Sequence, residues 1–171
     1  MKNLSVKDLV LMAFYVALFM ILDSFVNTLP FFQMPNGGSL GISTLALIIA
    51  SYHLGWQKGL LVAIVSVFAQ FITGPMYTPT LLGFVLDYLI GFSVYGLACL
   101  FPTVKMFYSG VFITNLIRFA SSVISGVYVW QTPWWGSITY NATYIIPTLI
   151  VGLIFTPLFM KALGPRLQRN H

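Results

Sequence analysis

Glutamate is absent from this 171-residue chain, and three aspartates, Asp8, Asp23 and Asp87, supply all of its acidic side chains. Intramembrane chemistry built on paired glutamates is therefore excluded, and general acid–base catalysis has few groups to draw on. The single cysteine, Cys99, forms neither an internal disulfide nor a multi-thiolate metal site. The two histidines, His53 and His171, are far apart in sequence, without ligand spacing between them. No metal, no redox cofactor and no enzymatic activity is expected. Charge of either sign is scarce, at 6% of residues, where a soluble domain carries about 25%. Its place is taken by apolar side chains, 58% of the chain with a mean hydropathy of +0.91, which excludes a soluble globular domain. The formal charge of +5 comes from lysines and arginines scattered singly between apolar runs. No basic face or aromatic RNA-binding motif accompanies them, so nucleic acid is not an expected partner.

At about 20 residues per membrane-spanning helix, the chain holds at most about six or seven spans, with almost nothing left over for a soluble domain. Apolar runs broken by clusters of Gly, Pro and polar residues give helices near 8–28, 39–54, 59–73, 81–101, 106–130 and 138–163. The reading is an all-α integral membrane protein of six transmembrane helices, in one membrane domain over residues 1–171. The second and third runs are short, about 24 Å at 1.5 Å per residue, and are expected to sit upright or to extend through their flanking loops. The first run follows Lys2 and Lys7 as in a signal peptide, but it is too long and lacks an Ala-x-Ala cleavage pattern, so it is expected to stay attached.

With both termini on the cytoplasmic side, that side holds Lys2, Lys7, Lys58, Lys105, Lys161, Arg166 and Arg169, and the three opposite loops hold no Lys or Arg. This asymmetry predicts a multi-pass plasma-membrane protein with N- and C-termini in the cytoplasm, and it requires an even number of spans. The inner connections, 55–58 and 102–105, are terse. The outer ones, 31–38, 74–80 and 131–137, are rich in aromatics, Gly and Pro, a composition that suggests a lid over the outer surface and fits an interfacial aromatic belt as well.

A charge near the bilayer centre costs about 2.5–3.5 kcal/mol even on the lenient insertion scale, so Asp23, Asp87 and Arg118 need partners or a hydrated cavity. Asp87 lies about 9 Å below the outer end of the fourth helix, Asp23 at a similar depth on the first, and Arg118 about 18 Å down the fifth. An ion pair of Arg118 with Asp23 or Asp87 and a direct role on substrate are both open. Arg118, Ser122, Gly126 and Trp130 follow one another at four-residue spacing and form one stripe from mid-membrane to the outer surface. The stripe reads either as a cavity wall or, at Ser122 and Gly126, as close helix packing. Ser137, Tyr140, Asn141, Thr143 and Tyr144 open the sixth helix, and Tyr88 adjoins Asp87, so polar and aromatic groups converge on the outer half. A carboxylate among aromatic rings suits a flat heteroaromatic cation.

There is no Gly-x-x-x-x-Gly-Lys-Ser/Thr phosphate loop, so ATP hydrolysis falls to a partner. Val123-Ile124-Ser125-Gly126 has a protease-like look but lacks the first glycine and an intramembrane histidine to activate the serine. No inverted repeat is visible, which weakens a stand-alone carrier. Ala13 and Ala17 form an Ala-x-x-x-Ala pair that permits close approach of a helix, from within the molecule or from a partner.

Several segments together resemble the thiamine-binding S components (ThiT type) of energy-coupling factor (ECF) transporters: Met34-Pro35-Asn36-Gly37-Gly38-Ser39, Leu86-Asp87-Tyr88, Arg118-Phe119-Ala120, Val123-Ile124-Ser125-Gly126, and Ser137 through Tyr144. The resemblance implies a six-helix subunit that captures thiamine from outside in a pocket in its outer half. It implies a lid loop containing Asn36, Gly37 and Gly38, and substrate contacts from Asp87, Tyr88, Ser122, Gly126, Trp130, Ser137, Tyr140 and Asn141. It also implies that Ala13 and Ala17 face a transmembrane coupling subunit, and that two ATPase subunits consume the ATP. Asp87 stands where that family often has Glu, and Ser122 where relatives commonly have a ligand-contacting His. A related vitamin, hydroxymethylpyrimidine or vitamin B6, is the alternative ligand, and a structural membrane protein or a proton-coupled carrier are the alternatives of other classes.

Overall fold

The computed structural model describes residues 4–35, 37–73 and 76–164. Lys2, Asn36, Gly74, Pro75, Arg166 and Arg169 lie outside the described residues. The protein is a six-helix integral membrane protein: α1 (Val6–Thr28), α2 (Thr44–Leu54), α3 (Trp56–Thr73), α4 (Leu81–Leu100), α5 (Ser109–Tyr128) and α6 (Trp134–Leu163). A short antiparallel hairpin, β1 (Thr103–Val104) with β2 (Phe107–Tyr108), joins α4 to α5.

Helix α1 starts in a capping box, in which Ser5 Oγ accepts the Asp8 N–H and the Asp8 carboxylate accepts the Ser5 N–H, satisfying two otherwise orphaned donors. Asp8 also meets Lys58 Nζ at 2.6 Å, tying the start of α1 to the start of α3. At this same end, Ser51 Oγ donates to the Gly96 carbonyl at 2.7 Å and accepts the Cys99 N–H at 3.0 Å. A β-carbon at Gly59 would lie 2.7 Å from Ser51 Cα, so α2, α3 and α4 meet there backbone to backbone. Phe14, Ile21, Phe25, Leu116, Ile150 and Ile154 point outward from α1, α5 and α6 and are exposed. Such a belt is unfavourable in water and is the expected lipid-facing surface of a membrane protein.

Helix α2 differs most from its expected extent. Its eleven residues, Thr44–Leu54, span about 16 Å, well short of a hydrocarbon core of about 30 Å. Residues 39–43, expected to be helical, are irregular. Non-helical backbone at membrane depth survives where protein satisfies it, and here it does: the Gly41 N–H donates to Thr148 Oγ1 of α6 at 2.8 Å, and the Gly41 carbonyl accepts Thr44 Oγ1 at 2.6 Å. A β-carbon at Gly41 would also strike the Thr148 side chain at 2.8 Å. Helix α5 begins at Ser109 rather than 106, because the hairpin occupies the preceding residues. Helix α6 begins at Trp134 rather than 138, with Pro133 fixing the turn that leads into it.

Helix α4 is irregular. Phe84–Ile90 widens into π-helical turns and Val94–Leu100 tightens into a 3₁₀ helix. Wide turns of this kind leave carbonyls in need of partners and recur at functional sites; the Leu86 carbonyl is met by Ser121 Oγ of α5 at 2.7 Å. Asp87 and Tyr88 sit within the widened stretch.

Candidate functional site

At the end of the bundle away from the Asp8–Lys58 pair, the helices enclose a cavity of ≈ 660 Å³. Its walls are Asp23 and Asn27 of α1, Gln70 of α3, Asp87, Tyr88 and Phe92 of α4, Arg118, Ser122 and Gly126 of α5, and Ser137, Tyr140, Asn141 and Tyr144 of α6. Gln33, Met34, Gly37 and Gly38 from the α1–α2 loop, Tyr77 before α4, and Trp130 and Thr132 before α6 also line it. All eight residues singled out from the sequence as substrate contacts thus line one space, together with Gly37 and Gly38 of the expected lid; Asn36 is outside the described residues.

The loop over the cavity is folded inward. Gln33 pairs with Ser39, and the Met34 N–H donates to the Gly38 carbonyl at 2.9 Å, which closes the loop on itself. Gly37 and Gly38 have φ of +88° and +92°, left-handed backbone that glycine adopts without strain. A β-carbon at Gly38 would meet the Tyr144 ring at 2.8 Å. Tyr140 donates its hydroxyl to the Gly37 carbonyl at 2.6 Å, so α6 holds the loop down.

Asp87 is fixed from α5: Ser125 Oγ donates to its Oδ2 at 2.5 Å, and Ser122 and the Trp130 indole close around the same carboxylate. Ser125 was not among the residues expected at the site, although it lies three residues from Ser122 on the same helix. Tyr88 stacks between Phe84 and Phe92, with centroids 6.2 Å from each, and its hydroxyl accepts the Tyr77 N–H at 2.9 Å. The widened turns of α4 set these rings nearly parallel.

Arg118 is 6% exposed at the base of the cavity. Its guanidinium carbon lies 4.4 Å from the Phe92 ring centroid and 5.8 Å from that of Tyr95, and its Nε and Nη1 have no hydrogen-bond partner among the described residues. It acts on Asp87 through space and is not in contact with it. Of the two partners left open for Arg118, Asp23 and Asp87, the second is out of ion-pair contact, and two aromatic faces lie beside the guanidinium and attract it through their quadrupoles.

Ser137 and Asn141 have a second task. Ser137 Oγ donates to the Val123 carbonyl at 2.9 Å, and Asn141 Nδ2 donates to the Ser137 carbonyl at 2.9 Å and the Ser122 carbonyl at 3.3 Å. Tyr144 donates its hydroxyl to Asn141 Oδ1. The bonds to the Val123 and Ser122 carbonyls stitch α6 to α5, and a β-carbon at Gly126 would collide with the Ser137 hydroxyl. Gly126 therefore serves both purposes that its spacing left open, lining the cavity and admitting α6.

Asp23, Asn27 and Gln70 form a polar wall on the side formed by α1 and α3. Asp23 accepts from Ser43 Oγ at 3.2 Å and Asn27 Nδ2 at 3.1 Å. Asp23 is visible in the sequence as an intramembrane charge, but Asn27 and Gln70 carry no comparable signal, since a lone amide in an apolar helix reads equally as a helix-packing contact.

Comparison with known proteins agrees with this architecture. The fold is similar to the solved structure of ThiT from Listeria monocytogenes, with a TM-score of 0.69 at 14% identity, covering 97% of this chain and 99% of that one. The thiamine transporter ThiT of Bacillus subtilis (strain 168) is 30% identical over 162 residues, covering 82% of this chain and 83% of that protein. Residues 9–167 match the family model described as thiamine transporter protein (Thia_YuaJ). With nearly the whole length matched, and a six-helix membrane fold closed over a polar cavity, the chain belongs to the thiamine transporter protein (Thia_YuaJ) family, a family of transporters and not of enzymes.

Proposed function

We propose that this protein is the substrate-capture subunit of an ATP-driven ECF-type importer and that its cavity takes thiamine from outside the cell. The observation that carries the reading is the charge of the lining. Among the described residues, the lining holds the carboxylates of Asp23 and Asp87, the guanidinium of Arg118 and no other ionisable side chain except tyrosine, so with both carboxylates ionised the wall carries one net negative charge. Thiamine has one fixed positive charge in a flat ring, and its entry brings the buried cavity to neutrality, where an uncompensated charge is costly. Tyr88, Trp130, Tyr140 and Tyr144 supply ring faces and hydroxyls around it. In this reading Asp87 balances the thiazolium, Trp130 and Tyr140 flank the rings, Tyr88, Ser137 and Asn141 offer polar contacts, and the loop of Gly37 and Gly38 closes over the ligand.

The cavity faces outward and both termini face the cytoplasm, as the distribution of Lys and Arg supports. Ala13 and Ala17 are exposed on α1 beside the equally exposed Val10, Phe14 and Ile21. This small-residue face suits close helix contact with a transmembrane coupling subunit, and two ATPase subunits supply the energy that this chain has no phosphate loop to extract.

The test is a titration of the purified protein in detergent, following tryptophan fluorescence. Saturable quenching by thiamine, lost in Trp130→Ala, is the expected result. Saturation by hydroxymethylpyrimidine or pyridoxine with no response to thiamine would instead mean that Ser122, a short side chain at Asp87, marks a changed vitamin specificity. Silence from all three would overturn the capture function.

A further inference from the structure

Resting on the orientation with both termini in the cytoplasm, we infer that the β1–β2 hairpin is a lipid-binding anchor: its tip, Val104 to Phe107, enters the inner leaflet, and Lys105 takes the headgroup of an anionic phospholipid. Helix α5, twenty residues and about 30 Å long, fills the hydrocarbon thickness. The hairpin that leads into it therefore lies at headgroup level, at the end of the bundle away from the cavity.

The base of the hairpin is fixed and its tip is uncovered. Tyr108 is buried edge-on to Tyr52 of α2, with ring centroids 5.0 Å apart, and Ser109 Oγ donates to the Pro102 carbonyl across the base. A β-carbon at Gly110 would collide with the Ala98 carbonyl, so α4 and α5 touch directly behind it. Beyond this base, Val104, Met106 and Phe107 are 62%, 56% and 49% exposed, which leaves three apolar side chains for an outside partner. On α5, Phe112 and Leu116 share a face and continue the exposed apolar surface into the lipid-facing belt. The patch is thus the margin of a surface that already lies in lipid.

Lys105 is the first of two turn residues and has φ of +56°, a backbone that such turns assign to Gly, Asn or Asp. The fixed base holds an exposed lysine where glycine would be free of strain, so what the position provides is the side chain and not the turn. Charge names the partner. Among the described residues, Asp8 is the only carboxylate at this end, and Lys58 pairs with it; Asp23 and Asp87 line the cavity. Lys7, Lys105 and Lys161 are exposed. A cationic surface with an apolar tip at headgroup level fits anionic lipid, which draws in lysines while the acyl boundary takes the apolar side chains.

The test uses the full chain in phosphatidylcholine nanodiscs, with Cys99→Ala and Met106→Cys placing one environment-sensitive fluorophore on the tip. Blue-shifted emission, quenched by nitroxides near the top of the acyl chains, is the expected result. Nitroxide-labelled phosphatidylglycerol should half-quench at about fivefold lower mole fraction than labelled phosphatidylcholine, the attraction of one lysine, and salt at about 1 M should remove the difference. Lys105→Gly should abolish this preference without lowering the melting temperature, because glycine accepts the positive φ. A second readout needs no label: phosphatidylglycerol added to detergent micelles should raise the melting temperature of the unmodified protein and not that of Lys105→Gly, and an equal shift in both would overturn the role of Lys105. Equal quenching by the two lipids would do the same. Emission as in water would overturn the anchor and leave the patch to a protein partner. Both leaflets of the nanodisc have one composition, so insertion is read whichever end faces the cytoplasm, and thiamine binding reports on the cavity separately.

Discussion

Replacing Asp87 by Asn removes one charge and almost no volume. The asparagine Oδ1 can still accept the hydrogen bond that Ser125 Oγ now gives to Asp87 Oδ2 at 2.5 Å, so the junction of α4 with α5 should hold. What changes is the field in the cavity. A ring cation about 5 Å from the carboxylate, at an effective dielectric constant of about 20, gains about 3 kcal/mol from it, a factor of roughly 200 in the dissociation constant. The lining also moves from one net negative charge to none, so the cation would enter with only Asp23 set against Arg118. The assay is quenching of tryptophan fluorescence in detergent, with hydroxymethylpyrimidine as the neutral control. Thiamine affinity should fall about 200-fold, while any affinity for the neutral ring should change less than about threefold. A folded Asp87→Asn protein that binds thiamine within threefold of wild type would refute the charge argument. An equal loss for both ligands would point to a disturbed pocket shape in place of a missing charge.

Further outcomes follow from individual contacts. Gly126→Ala drives a methyl into the Ser137 hydroxyl and should cost about 1–3 kcal/mol of stability as overpacking, read as a lower melting temperature in detergent; Gly126→Ala with Ser137→Ala should melt closer to wild type than Gly126→Ala alone, and no recovery would refute the clash. Tyr140→Phe removes the hydroxyl that holds the loop at the Gly37 carbonyl and should speed thiamine release about fivefold in stopped-flow, the value of one ordinary hydrogen bond of about 1 kcal/mol; an unchanged release rate would show that this contact does not restrain the loop. Lys58→Ala breaks an ion pair whose side chains are 31% and 22% exposed and should cost no more than about 1 kcal/mol, with a larger loss of thermal stability as the contrary result.

The sequence by itself determined the membrane class, the number of helices and most of the cavity on α4, α5 and α6. These follow from local arithmetic: an apolar run of membrane length becomes a helix because its backbone has no water to bond, and residues four apart on it share a face. Arg118, Ser122, Gly126 and Trp130 could thus be set on one stripe without knowing what the stripe faces. Tertiary structure alone decided what depends on neighbours. Helix α2 begins at Thr44 because Thr148, more than a hundred residues away, bonds the Gly41 N–H and lets the backbone stay irregular at membrane depth. Arg118 lies against Phe92 and Tyr95, out of contact with Asp87, because α4 brings those rings beside α5. Gln70 enters the cavity wall only because α3 packs beside α1 and turns that amide inward. Periodicity specifies which side chains share a helix face, but the partner of that face is chosen by the packing of all six helices at once, and on that choice rest the depth of the cavity and the balance of its charges.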